Sequence, residues 1–239
     1  MFPSITNQPT IMRILLGLSF LFLFTQCSPN LAPYQEKAKS WEKEVSLLEI
    51  KDKTESYPEN ALLCIGSSSF RLWKSIQEDM APYTCINRGY GGAKFTDLAF
   101  FTDRLIAPHT YQGVMVFVAN DITGSADDLT PKEVVTWFQR VEKSIRKKSP
   151  TTPIFLIEIT PTESRWKVWN QIQEANSLLK AYCAKKKNLH FISTATAFLG
   201  PDGNPRSELF IQDKLHLNAA GYKIWASQLK AGLAPVVNP

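Results

Sequence analysis

The sequence has few of the residues that build metal centres and disulfide frameworks, with four cysteines and three histidines among its 239 residues. The cysteines show no C-x-x-C spacing and no histidine pair stands near them, so a zinc site is not expected. We expect the protein to need neither a metal nor another cofactor. Cys64 and Cys85 lie inside apolar runs and are most simply buried thiols, with a disulfide between them as the alternative in an oxidising compartment.

A strong excess of charge of one sign is also absent. Lysine and arginine total 27, aspartate and glutamate total 22, and the net charge is +5. Two basic clusters, residues 146–148 and 185–187, fall at the ends of helical patterns, where cations complement the helix dipole. This balance argues against nucleic acid as a partner, and nothing in the sequence indicates an oligomeric state.

The sequence lacks an apolar run long enough to cross a bilayer as a helix. The hydrophobic segment of residues 14–24 has only 11 residues and follows Arg13. A basic residue before a short apolar run is typical of an export signal, so we interpret residues 1–26 as a signal peptide, with Met12 as an alternative start. Cys27 then resembles the lipobox cysteine of bacterial lipoproteins, which implies membrane contact only through a lipid on that residue; a periplasmic or secreted protein is the alternative.

The rest of the chain divides into two parts. Residues 27–60 comprise a polar tether and a Lys/Glu-rich helical segment, which we expect to lie outside the main fold and which carries no chemical signal. Residues 61–239 form the main domain, without an internal repeat or a low-complexity segment.

The main domain alternates short apolar runs with amphipathic stretches. The runs lack polar alternation, as strands buried on both faces of a parallel sheet do; they are residues 61–66, 83–87, 113–119, 153–159 and 189–193. Helical patterns cover residues 131–147, behind a capping box formed by Thr130 and Glu133, and residues 166–186. Five strands alternating with helices predict a three-layer α/β/α sandwich with a five-stranded parallel sheet.

Polar or glycine-rich residues follow the predicted strands. They are "GSSS" (66–69), "NRGYGG" (87–92), Asn120-Asp121 and, late in the chain, "DKLH" (213–216). Ligands bind beyond the carboxyl ends of the strands in such sheets, so these stretches are the candidate site. Each stretch taken alone is more ordinary as a helix cap, a turn or a loop.

Taken together and in this order, the four stretches resemble the blocks of the SGNH hydrolases, the GDSL-type esterase and lipase family. The resemblance spans residues 61–225; "TPTESRW" (160–166) and "DKLHLNAAGY" (213–222) fit a variant subgroup. It implies a flavodoxin-like topology and a serine ester hydrolase. The resemblance also implies the site residues: the nucleophile Ser68, the oxyanion residues Gly92 and Asn120, and the Asp213–His216 pair. The chain departs from the family pattern at Ser67, where aspartate is usual, and at Ala119, where glycine is usual.

Ester hydrolysis by a serine nucleophile requires the same residue types. A serine hydroxyl attacks only when a base removes its proton, and imidazole suits that task near neutrality. Asp213 stands three residues before His216 and can reach the other ring nitrogen. The Ser68 and Gly92 amides and the Asn120 side chain can donate to the oxyanion. The other two histidines, His109 and His190, stand at the starts of strand regions and are expected to be structural.

The sequence leaves two other functions open. A phosphate-binding module could use the serine-rich loop and the following helix N-terminus, and a non-catalytic surface lipoprotein could carry an unused site. For an esterase, we expect a small-molecule or saccharide acyl ester with a short-chain or acetyl group, because no long apolar lid is evident. Acyl transfer would use the same residues. Three tryptophans, Trp73, Trp166 and Trp169, could line a sugar site but are more simply core.

The signal interpretation predicts a mature protein that begins at Cys27 and carries a diacylglyceryl group there. Mass spectrometry of the N-terminal peptide from the purified native protein measures both features. An intact Met12 or an unmodified N-terminus elsewhere would contradict the lipoprotein prediction.

Overall fold

The computed structural model describes Met1 and residues 32–239. The predicted signal peptide, apart from Met1, and Cys27 therefore lie outside the described residues. Within the described part of the chain, no helix has both the length and the apolar character that a membrane span requires.

The centre of the fold is a five-stranded sheet in which every neighbouring pair is parallel. Its strands are β1 (Leu62–Gly66), β2 (Cys85–Gly89), β3 (Gly113–Phe117), β4 (Ile154–Ile157) and β5 (Leu189–Ile192). Their spatial order is β2-β1-β3-β4-β5. Every residue of β1, β3 and β4 is buried, which explains why these strands show no polar alternation.

Eight α-helices cover the sheet in the described residues. They are α1 (Gln35–Lys39), α2 (Glu42–Asp52), α3 (Ser68–Leu72), α4 (Ile76–Met80), α5 (Phe95–Ile106), α6 (Pro131–Lys148), α7 (Trp169–Cys183) and α8 (Ala219–Leu233). The buried side chains form two clusters, one holding α5, α6 and α7 and the other α3, α4 and α8. Helices thus lie on both faces, and the predicted three-layer sandwich is confirmed.

Local signals set the helix ends. Thr130 and Glu133 form the expected capping box of α6, and Asn218 caps α8 by accepting a 3.0 Å hydrogen bond from the Gly221 N–H. The predicted helix over 166–186 is shorter, because residues Glu163–Val168 form a 3-10 helix before α7. Cys64, Cys85 and Cys183 are free and buried.

Gly66 makes the turn from β1 into α3. Its φ is +137°, and a Cβ there would lie 1.9 Å from the Phe117 carbonyl oxygen of β3. Only glycine adopts this conformation without strain. The next residue, Ser67, donates its N–H to the same carbonyl at 2.9 Å, so α3 begins at Ser68 directly above the end of the sheet.

The N-terminal helical segment packs against the domain, so the expectation that it lies outside the main fold is wrong. Val45 and Leu48 of α2 belong to the buried core. Asp52 lies 2.6 Å from Arg88 of β2, a guanidinium that is 1% exposed. A buried cation requires a close anionic partner, and this pairing across 36 residues has no local sequence signal.

Asp121 joins the end of β3 to the start of α5. Its carboxylate accepts hydrogen bonds of 3.0 and 3.3 Å from the Phe95 N–H. Burial raises the pKa of Asp121 from 3.8 to about 7, although the Phe95 N–H and the Lys94 and Arg165 cations favour the charged form.

This raised pKa predicts a specific pH dependence of stability. Between about pH 4 and 7 the folded protein holds a proton on Asp121 that the unfolded chain has lost, so stability falls as pH rises. Asp121→Asn keeps an acceptor for the Phe95 N–H but cannot ionise. We expect its melting temperature relative to wild type to rise across this interval and then level off. Parallel melting curves for the two proteins between pH 4 and 8 would contradict the assignment.

Candidate active site

Ser68 lies at the carboxyl edge of the sheet, as the first residue of α3. Its Oγ is 2.9 Å from His216 Nε2, although 148 residues separate the two in sequence. The adjacent serines are placed differently. Ser67 is 1% exposed, and Ser69 accepts a 2.9 Å hydrogen bond on its carbonyl from the Tyr222 hydroxyl. Of the three serines, Ser68 is the one whose hydroxyl lies within hydrogen-bonding distance of a histidine.

Asp213 binds the other ring nitrogen of His216. Its Oδ2 is 2.6 Å from His216 Nδ1, and its Oδ1 accepts the backbone N–H groups of Leu215 and His216, both at 2.9 Å. Burial opposes the charged carboxylate, but the hydrogen bonds from His216 and Leu215 outweigh it and hold the pKa of Asp213 below its ordinary value. The carboxylate therefore stays ionised near neutrality and fixes the ring orientation.

The Asp213–His216 turn is anchored to the segment after β4. Lys214 has a φ of +56°, a conformation that non-glycine residues rarely adopt. Its carbonyl accepts the Ser164 N–H at 3.2 Å, and its ammonium binds the Glu163 carboxylate. On the other side, the His216 carbonyl accepts the Ile211 N–H at 2.9 Å. These contacts hold the imidazole facing Ser68.

Gly92 and Asn120 lie next to each other beside this pair. A Cβ at Gly92 would be 3.9 Å from Asn120 Nδ2. The Gly91 N–H is already bonded to Glu44 at 2.8 Å. By contrast, the Ser68 and Gly92 N–H groups have no backbone acceptor in the described chain. The structure thus leaves two free amides and one side-chain amide on the same edge of the sheet.

Arg165 is a site residue to which the sequence reasoning assigned no role. Its guanidinium donates to the Ala119 carbonyl and to Asn120 Oδ1, and this second bond decides which way the Asn120 amide points. Asn120 Nδ2 donates one hydrogen to the Ala93 carbonyl at 3.0 Å and keeps a second. Burial lowers the pKa of Arg165 to about 10, so it stays charged at neutral pH. The motif "TPTESRW" was the one sequence signal that pointed to this arginine. A sequence does not show, however, that an arginine is buried.

A small pocket opens beside Ser68. Its lining includes Ser68, Asn120, Thr162, Arg165 and His216. Its cavity volume is about 20 Å³, and one water needs about 10–15 Å³. The cavity beside Ser68 is therefore small, and the pocket opens from it to solvent. No group of three potential metal ligands occurs among the described residues.

The remaining candidates lie elsewhere. His109 Nε2 is 3.0 Å from Asp52 Oδ1, and His190 stacks on the ring of Phe155 with centroids 5.1 Å apart. Trp73 and Trp169 are buried, whereas Trp166 is partly buried and stacks on Trp169. None of these residues lines the pocket beside Ser68.

Comparison with known proteins identifies the family. Residues 59–224 match the model of the GDSL-like lipase/acylhydrolase family. No curated protein matches the sequence significantly.

Solved structures share the fold at low sequence identity. A Streptococcus pneumonia protein assigned as a platelet activating factor is 22% identical, with a TM-score of 0.66 over 85% of this chain and 99% of that one. A GDSL-like lipase from Bacteroides thetaiotaomicron is 14% identical, with a TM-score of 0.66 over 81% and 98%. A carbohydrate esterase family 3 protein from Talaromyces cellulolyticus is 13% identical, with a TM-score of 0.57 over 74% and 97%.

The family match covers more than half of the chain and includes all five residues of the candidate site. This chain belongs to the GDSL-like lipase/acylhydrolase family and is a carboxylic ester hydrolase.

Proposed function

We propose that the protein hydrolyses short-chain acyl esters through a Ser68–His216–Asp213 triad with an oxyanion hole formed by Ser68, Gly92 and Asn120. The observation that carries this proposal is the continuous chain of contacts from Ser68 Oγ to His216 Nε2 at 2.9 Å and from His216 Nδ1 to Asp213 Oδ2 at 2.6 Å. A phosphate-binding module would leave the Asp213–His216 pair without a role.

In the acylation step, Ser68 Oγ attacks the ester carbonyl carbon while His216 Nε2 takes the hydroxyl proton. Asp213 stabilises the imidazolium that forms. The tetrahedral intermediate collapses when the bond to the alcohol oxygen breaks and His216 returns the proton to that oxygen. The alcohol leaves, and the acyl group remains on Ser68.

Deacylation repeats the step with water as the nucleophile. His216 takes a proton from water, the hydroxyl adds to the acyl carbonyl, and the bond to Ser68 Oγ breaks as the proton passes to that oxygen. The carboxylic acid is released, and the Ser68 hydroxyl and the neutral His216 ring are regenerated. In both steps the negative charge falls on the former carbonyl oxygen, where the two amides and the free Asn120 hydrogen donate. Arg165 keeps that hydrogen available by holding Asn120 Oδ1.

The small pocket supports a short acyl group. A cavity of about 20 Å³ beside Ser68 suits an acetyl group better than a long chain. The likeness to a carbohydrate esterase family 3 structure agrees with an acetylated saccharide as one substrate class. We therefore propose a small-molecule or saccharide acyl ester as the substrate.

Ser68→Ala is expected to lower ester hydrolysis by about 10⁴-fold or more, because the attacking atom is removed. Release of p-nitrophenol from p-nitrophenyl acetate measures this loss, and circular dichroism checks that the fold is retained. Ser67→Ala and Ser69→Ala are matched controls on the same loop and should keep substantial activity. An active Ser68→Ala together with an inactive Ser67→Ala would move the nucleophile by one position.

The pocket predicts a preference for short acyl groups. On p-nitrophenyl esters from acetyl to decanoyl, kcat/KM should fall by about tenfold or more beyond butyryl, because one or two methylenes that cannot be accommodated cost about 1–3 kcal/mol. Acetylated saccharides should be deacetylated by the same enzyme. A higher kcat/KM for decanoyl than for acetyl would overturn the short-chain assignment.

A further inference from the structure

The N-terminal helical segment reaches the candidate oxyanion loop. Trp41 and α2 lie before residue 59, where the match to the family model begins. Their side chains nevertheless contact the Gly91–Gly92 turn, which carries one of the free amides. An element outside the matched domain thus touches a part of the proposed catalytic machinery.

Glu44 of α2 binds the turn directly. Its Oε2 accepts the Gly91 N–H at 2.8 Å. A carboxylate bonded to a backbone N–H forms a charge-assisted hydrogen bond, which is stronger than a neutral one. The same Oε2 lies 4.0 Å from Arg71 Nε on α3, the helix that begins with Ser68. Glu44 therefore stands between α3 and the Gly91–Gly92 turn, which carry the two amides of the proposed oxyanion hole.

Trp41 covers the turn from outside. A Cβ at Gly91 would lie 2.0 Å from Trp41 Cζ3, and one at Gly92 would lie 3.7 Å from Trp41 Cζ2. The indole ring therefore rests on both glycines. It also packs against Tyr90, with ring centroids 5.9 Å apart.

Two consecutive glycines have more backbone freedom than any other pair of residues. Their own sequence does not fix the direction of the Gly92 N–H. An oxyanion donor contributes fully only when it already points at the developing charge. The direction must therefore come from contacts, and Glu44 and Trp41 supply contacts on the Gly91 amide and on the outer face of the turn.

We infer that Glu44, assisted by Trp41, is a positioning residue for ester hydrolysis: it fixes the Gly91–Gly92 turn so that the Gly92 N–H faces the oxyanion. This inference rests on the proposed function. Glu44 acts through the backbone of Gly91 and touches neither the substrate nor the reacting atoms.

The test compares Glu44→Ala with Glu44→Gln in the full chain, using p-nitrophenyl acetate. Removing an oxyanion donor costs about 10²–10³ in rate, and a donor that is only misdirected should cost about tenfold. We expect Glu44→Ala to lower kcat by about tenfold with KM nearly unchanged, because the loss is confined to the transition state. Glu44→Gln retains an acceptor oxygen and should restore most of kcat.

Glu49→Ala is the matched control. Glu49 lies on the same helix and pairs with Arg104 at 2.8 Å, away from the turn, so its loss should leave kcat unchanged. A wild-type kcat for Glu44→Ala, or an equal loss in Glu49→Ala, would overturn the inference. If Glu44→Ala does not fold, Glu44→Asp replaces it in the test, because aspartate keeps the charge but has a shorter side chain. A lowered kcat of Glu44→Asp at an unchanged KM supports the inference. Full activity of Glu44→Asp rejects it. If the wild-type protein hydrolyses none of the esters, the proposed function itself is rejected.

Discussion

The close approach of Gly66 to the Phe117 carbonyl is the contact on which the rest of the site depends. Since no side chain fits between β1 and β3 at this point, the chain leaves the sheet in a turn that only glycine allows. The turn starts α3 at Ser68, directly above the sheet edge. Every other candidate group is brought to this fixed hydroxyl from a later part of the chain.

The groups around Ser68 are polar, and two residues of this edge, Arg165 and Asp121, are buried. Buried polar groups are stable only when they are bonded. Arg165 holds Asn120, Asp213 holds His216, and Asp121 holds the start of α5. These bonds offset the cost of burial and also set the direction of each donor and acceptor. The same contacts therefore stabilise the sheet edge and orient the groups that catalysis would use.

The N-terminal segment contacts the candidate site from outside the residues that the family model matches. The family model matches residues 59–224, and the domain there contains all five candidate residues. Yet the turn carrying Gly92 is bounded on its outer side by Trp41 and held by Glu44. The conformation of this turn is thus shared between the domain and the segment that precedes it.

The sequence alone determined the layers of the fold. Strands buried on both faces are uninterrupted apolar runs, and helix caps such as Thr130 are local, so both can be read without a structure. Motif order likewise indicated the residues at the strand ends, and the structure brings Ser68 and His216 together. Their chemical roles and the export signal stay predictions.

Tertiary structure alone decided what holds those residues in place. Asn120 is bonded to Arg165, Gly91 to Glu44 and Arg88 to Asp52, pairs that are at least 36 positions apart in the chain. A charged residue has the same local sequence pattern whether it is exposed or buried against a distant partner. Such pairings arise only when the layers pack, because burial is what makes a bond between distant groups necessary.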